Sequence, residues 1–90
     1  MGSGKRIIPA RLGEKLKAIR EILGLTTEEM ITKLNCPEVP LHRASITQYE
    51  KARREPALAV ILSYARVAQI SVELLIDDKL DLPSKLKSKS

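Results

Sequence analysis

Ninety residues make one domain with a modest core, too short for most catalytic architectures. Hydrophobic residues form 43% of the chain and aromatics only 2%, so the core must come from Leu, Ile, Val and Ala, which favours packed helices over an aromatic-rich β-sandwich. The formal charge is +5, but residues 1–11 and 79–90 carry +3 each and residues 12–78 carry −1, so the folded part is not broadly basic.

The single cysteine, Cys36, excludes an internal disulfide and leaves no Cys/Cys or Cys/His zinc pattern, which fits a reducing, cytoplasmic setting. Neither a membrane-length apolar run nor a signal-peptide core is present in the sequence. The opening "MGSG" reads better as a cloning scar than as a myristoylation signal, because Arg6 stands where that signal takes Ser or Thr. Residues 1–8 form a flexible basic lead, part of it tag-derived on that reading, residues 9–79 the domain, and residues 80–90 a Lys/Ser-rich, partly disordered tail.

Pro9 is well placed near the start of a first helix, in which Leu12, Leu16, Ile19 and Leu23 recur at helical spacing. Gly24 ends it. Thr26 with Glu29 three residues on predicts a capping box for a short second helix, with Glu28 and Glu29 at its positive end and Met30, Ile31 and Leu34 as anchors. "CPEVPL", residues 36–41, holds two prolines and breaks the helical pattern. The third helix starts with His42 as N-cap; Leu41 and Ile46 then form a hydrophobic staple, Ile46 and Tyr49 face inward, and Arg43, Ala44, Thr47, Gln48 and Lys51 face outward. Pro56 starts a fourth helix with Leu58, Ile61, Leu62, Ala65 and Ala68 on one side. Ser71 caps a fifth, anchored by Leu74 and Leu75.

Three stretches together make the chain familiar: "LGEKLKAIREILGLTTEEM", "ASITQYEKARREP" and "ILSYARVAQISVELL". Over roughly residues 12–76 it resembles the Cro and phage-repressor (XRE family) helix-turn-helix DNA-binding domains. The resemblance implies an all-α, five-helix lambda-repressor-like bundle whose third helix enters the DNA major groove. Arg43, Ala44, Thr47 and Gln48 then read bases: Arg43 suits guanine O6 and N7, Gln48 adenine N6 and N7, and Ala44 and Thr47 a thymine methyl. Thr26, Thr27, His42, Lys51, Arg53 and Arg54 fall where phosphates are met. Arg20 and Glu50 match the family's ion pair between the first and third helices, which orients the reading helix.

This chain departs from the family in three places. Thr27 replaces the usual Gln, a group too short to hold both a phosphate and the reading helix. Ala52 replaces the usual Gly after the third helix; a left-handed Ala costs about 1–2 kcal/mol, so the helix is expected to run on or exit differently. The 36–41 connection is several residues longer than the family's tight turn, a change of small entropic cost. Those extra residues are expected to contact neither DNA nor a second subunit.

The resemblance implies a transcriptional regulator, most simply a repressor, binding double-stranded DNA in a bacterial or phage-type cytoplasm. It would act as a homodimer on an inverted repeat with half-sites about 34–36 Å apart. The fifth helix with Leu80, Leu82 and Leu86 is the candidate dimer surface, and Lys5, Arg6 and Arg11 are candidate arm contacts to DNA. The other reading is an antitoxin-like or co-regulator module, whose groove of Leu74, Leu75 and the tail leucines holds a protein partner. An enzyme is not supported by the sequence, which offers no metal constellation, no nucleophile–His–acid grouping and no phosphate-binding glycine loop. No cofactor or metal is expected.

Overall fold

In the computed structural model, which describes residues 9–83, five α-helices follow in chain order: α1 Leu12–Leu23, α2 Thr27–Leu34, α3 Arg43–Glu50, α4 Leu58–Ala68 and α5 Glu73–Ile76. The described residues contain no strand, so the fold is all-α. None of its helices is long and apolar enough to cross a membrane. Leading elements Lys5, Arg6 and the tail residue Leu86 lie outside the described residues.

The core joins all five helices. Leu16, Ile19, Met30, Ile46, Val60, Tyr64 and Leu75 are fully buried, with Leu12, Leu34, Tyr49, Ile61, Ala65 and Ala68 beside them. Burying each large aliphatic side chain contributes about 1.5–3 kcal/mol, so this cluster is the main source of stability. α1 packs against α3, α4 and α5, while α2 packs against α3 and α4. The α3 helix is thus wedged between α1 and α2 by Ile46 and Tyr49, leaving its other side outside.

Helix ends follow local chemistry. At α2 the Glu29 amide donates to Thr26 Oγ1 (3.1 Å) and the Thr26 amide to Glu29 Oε1 (2.9 Å), the expected capping box. At α3 the His42 amide donates to Ser45 Oγ (3.1 Å), with Leu41 half-buried against the core behind it. Gly24 takes a left-handed conformation (φ 72°), and the two amides after α1 bond back to Glu21 and Arg20 carbonyls.

Several expectations need correction. Ala52 is left-handed (φ 60°), so α3 neither runs on nor exits in another way. The Ala52 and Arg53 amides donate to the Tyr49 and Gln48 carbonyls (3.1 and 2.8 Å), a Schellman closure whose bonds offset the strain of an alanine there. The fourth helix starts at Leu58 rather than at Pro56, which is buried in the extended approach to it. Leu58 is 67% exposed and Leu62 only half-buried; Ile61, Ala65 and Ala68 are buried as expected, and Val60 and Tyr64 join them on the inner face of α4. Leu82, beyond the fifth helix, is half-buried against the core. Cys36, Val39 and Leu41 also pack against the core, which pins the long connection to its own domain.

Two anchors are legible only in three dimensions. Asp78 accepts the Ala10 and Arg11 amides (2.8 and 3.0 Å), supplying from the far end of the chain the cap that α1 lacks locally. Lys15 is buried at 2% exposure because its ammonium donates to the Leu74 and Asp77 carbonyls (2.7 and 2.9 Å) at the end of α5. Tyr64 Oη is buried without a hydrogen-bond partner among the described residues, and burial raises the pKa of its phenol.

Candidate functional site

The outer side of α3 is defined by what holds its inner side. Ile46 and Tyr49 are three residues apart and therefore share one face, which the core covers. Glu50, at the last turn, is clamped by Arg20 of α1: Arg20 Nε donates to Glu50 Oε2 at 2.7 Å and Nη2 to Oε1 at 3.1 Å. A third guanidinium bond, from Nη1 to the Leu25 carbonyl (3.0 Å), ties the same side chain to the turn after α1. The pair is largely buried, and the bond to Glu50 raises the Arg20 pKa above its ordinary value. A bidentate, charge-assisted pair fixes direction as well as distance, so it sets the rotation of α3 about its axis.

Gly13 of α1 completes that seat. A Cβ built there would lie 2.8 and 2.9 Å from the Tyr49 and Glu50 carbonyl oxygens. Only glycine lets the start of α1 approach the end of α3 this closely.

With the inner face fixed, Arg43, Ala44, Thr47, Gln48, Lys51 and Arg53 line one shallow concavity, and Thr27 of α2 forms its other wall. All four residues expected to read bases are therefore together, joined by three of the six expected to meet phosphate. The spacing explains the grouping: Arg43, Thr47 and Lys51 follow at intervals of four along a helix and its cap, with Ala44 and Gln48 on the adjoining row. Among the described residues, Thr47, Gln48, Lys51 and Arg53 have no side-chain hydrogen bond or ion pair. Arg43 Nε lies 3.5 Å from Glu28 Oε2 of α2, and both side chains are mostly exposed.

The remaining expected residues stand apart. Thr26 is exposed and its hydroxyl oxygen is engaged in the α2 cap. His42 is exposed at the N-cap of α3. Arg54 lines a different pocket, with Pro9, Leu12, Gly13, Tyr49 and Pro56, behind the helix exit. Arg53 lines both pockets, so the two surfaces part at Arg53 rather than at the left-handed Ala52. Arg54 is thus not brought to the concave surface.

Arg11 is likewise committed elsewhere. Its guanidinium pairs with Asp81 (2.8 Å) and Glu14 (3.2 Å) and donates to the Asp78 carbonyl (2.9 Å), which removes it from the expected role of a mobile arm. The bond to Asp81 is the largest cause raising its pKa.

Sequence reasoning missed Gly13, Glu28, Lys15 and Asp78 as positioning residues. A glycine inside an amphipathic helix and a lysine between Leu12 and Leu16 on its apolar stripe were the available signals for two of them. Asp78 carried none, because its partners are 67 and 68 residues away. No group of three or more His, Cys, Asp or Glu among the described residues is placed to hold a metal. Comparison with protein-family models, with curated proteins and with solved structures returned no match.

Proposed function

We propose that the chain is a sequence-specific double-stranded DNA-binding regulator of the Cro and phage-repressor type, α2 and α3 forming its helix-turn-helix. In this reading α3 enters the major groove, which is about 12 Å wide and admits one helix. Arg43 and Gln48 grip purine edges, Ala44 and Thr47 allow close approach to a thymine methyl, and Thr27, Lys51 and Arg53 meet phosphates. Two copies on an inverted repeat supply the specificity that one helix, reading a few base pairs, lacks. Repression follows most simply, since DNA occupancy by a domain this small blocks other proteins without further machinery.

The observation carrying this reading is the contrast across α3. Its inner face is locked by packing and by Arg20–Glu50, while its outer face gathers polar and basic side chains whose hydrogen-bonding capacity the domain itself does not use. The second reading, a groove for a protein partner, would rest on the half-buried Leu74 and Leu82 and the exposed Leu80, since Leu75 is fully buried.

The test is the salt dependence of binding to a labelled random-sequence duplex, for the wild-type chain and for Lys51→Ala. The reading predicts log K falling linearly with log salt concentration, and a slope smaller by about 0.9 in the variant. Binding that is absent, or flat in salt and equal in both proteins, would overturn it.

A further inference from the structure

We infer that Glu28 is a specificity-determining residue of this surface: it pairs loosely with Arg43, leaves the guanidinium free to turn to a guanine, and withholds it from phosphates. The inference rests on the reading of α3 as the DNA-reading helix and adds a repulsive element to it.

Arg43 is the first residue of α3, and no acidic residue lies in that first turn. A cation there faces the positive end of the helix dipole, an unfavourable position unless a countercharge is nearby. Glu28, at the start of α2, supplies one across the gap between the helices. The approach, 3.5 Å from Nε to Glu28 Oε2, is long and lies on an exposed surface, so the guanidinium is free to turn its terminal nitrogens outward. Those two nitrogens are enough for a bidentate grip on guanine O6 and N7.

The two arginine–glutamate pairs of α3 differ in kind. Arg20–Glu50 is bidentate, at 2.7 and 3.1 Å, and mostly buried. Arg43–Glu28 is longer, at 3.5 Å, and its side chains are 72% and 68% exposed, so it draws Arg43 toward α2 without committing it. Beside it, the concavity offers phosphates the cations Lys51 and Arg53 and the neutral Thr27, Thr47 and Gln48. On a sequence lacking an acceptor for Arg43, Glu28 keeps part of that cation neutralised and repels the phosphates itself. Where a guanine stands opposite Arg43, the base contact is gained at little cost. Discrimination then comes from an attraction and a repulsion acting together.

The experiment compares wild-type chain with Glu28→Gln on two duplexes: a random-sequence duplex and the tightest duplex selected from a random library. Glu28 is exposed, so the variant is expected to keep its thermal melt, which is recorded as the folding control. On the random duplex, affinity should rise about two- to fivefold, the range set by an exposed charge pair. The salt slope there should steepen by about 0.9, because Arg43 becomes free to neutralise one more phosphate. On the selected duplex affinity should rise by less than that, or fall, so that the ratio between the duplexes shrinks. An equal rise on both duplexes, leaving the ratio unchanged, would overturn the inference while leaving DNA binding intact. Wild-type protein that binds neither duplex would overturn the DNA reading and this inference with it.

Discussion

The two faces of α3 differ in how completely the domain has used their chemistry. The inner face is held by Ile46 and Tyr49 in the core, by the two-pronged Arg20–Glu50 pair, and by backbone packed against Gly13. The outer face, from Arg43 to Lys51 and on to Arg53, forms a single exposed ion pair and otherwise leaves its side chains open. One helix is thus over-determined on one side and uncommitted on the other. A stable seat lets the outer face change chemically without changing where it sits.

Breaking the seat should have the largest effect. Glu50→Ala leaves Arg20 without its partner in a site where both side chains are mostly buried, and should cost about 3 kcal/mol in urea unfolding. Replacing both partners, as in Arg20→Met with Glu50→Leu, should recover a good part of that loss. A single substitution costing less than 0.5 kcal/mol would show that the pair does not hold α3. Next comes Gly13→Ala, where the new methyl meets carbonyl oxygens of backbone that cannot swing aside. It should cost about 1–3 kcal/mol, against the gain alanine normally brings inside a helix. A stabilised Gly13→Ala protein would mean that α1 and α3 can separate freely.

The exit of α3 should respond in the opposite direction. Ala52 is exposed and left-handed, so Ala52→Gly removes about 1–2 kcal/mol of strain and loses about 0.4–1 kcal/mol to the added freedom of the unfolded chain. A net gain of roughly 0.5–1 kcal/mol should appear as a higher unfolding midpoint.

The smallest effect concerns the remote cap of α1. The Arg11 and Ala10 amides hold the Asp78 carboxyl below its ordinary pKa. A lowered folded-state value stabilises the fold above the unfolded pKa, and that contribution is lost as pH falls through the folded one. Wild-type protein should therefore exceed Asp78→Asn in stability at neutral pH, with the difference shrinking below about pH 4. A difference that stays constant from neutral pH to pH 3 would contradict the capping role.

Much of the inner architecture was legible in the sequence, because periodic leucines, a Thr-x-x-Glu capping box and glycine punctuation are local signals. The helix order, the α2 cap and the inward turn of Ile46 and Tyr49 all follow from them. What escaped was non-local. The Asp78 cap and the Lys15 bonds to the end of α5 join residues far apart in sequence, where spacing carries no information. Ala52 misled because residue preference argued against a left-handed alanine, whereas two backbone hydrogen bonds hold it there. Pro56 misled for a related reason: proline suits a helix start, but here it is buried in the extended segment before α4. At the candidate site, helical spacing alone grouped Arg43, Ala44, Thr47 and Gln48, but it could not reveal that Arg54 lines a separate pocket beyond the helix exit.

The central claim is that the outer face of α3 reads DNA while contributing little to the fold. The most direct measurement is selection from a random double-stranded DNA library at near-physiological salt, with wild-type and Arg43→Ala proteins run in parallel and their unfolding curves recorded. The account predicts a palindromic site for the wild type, loss or relaxation at a guanine position in the variant worth about 1–3 kcal/mol, and unfolding free energies within about 0.5 kcal/mol of each other. No enriched sequence, or the same site recovered equally well by both proteins, would contradict it.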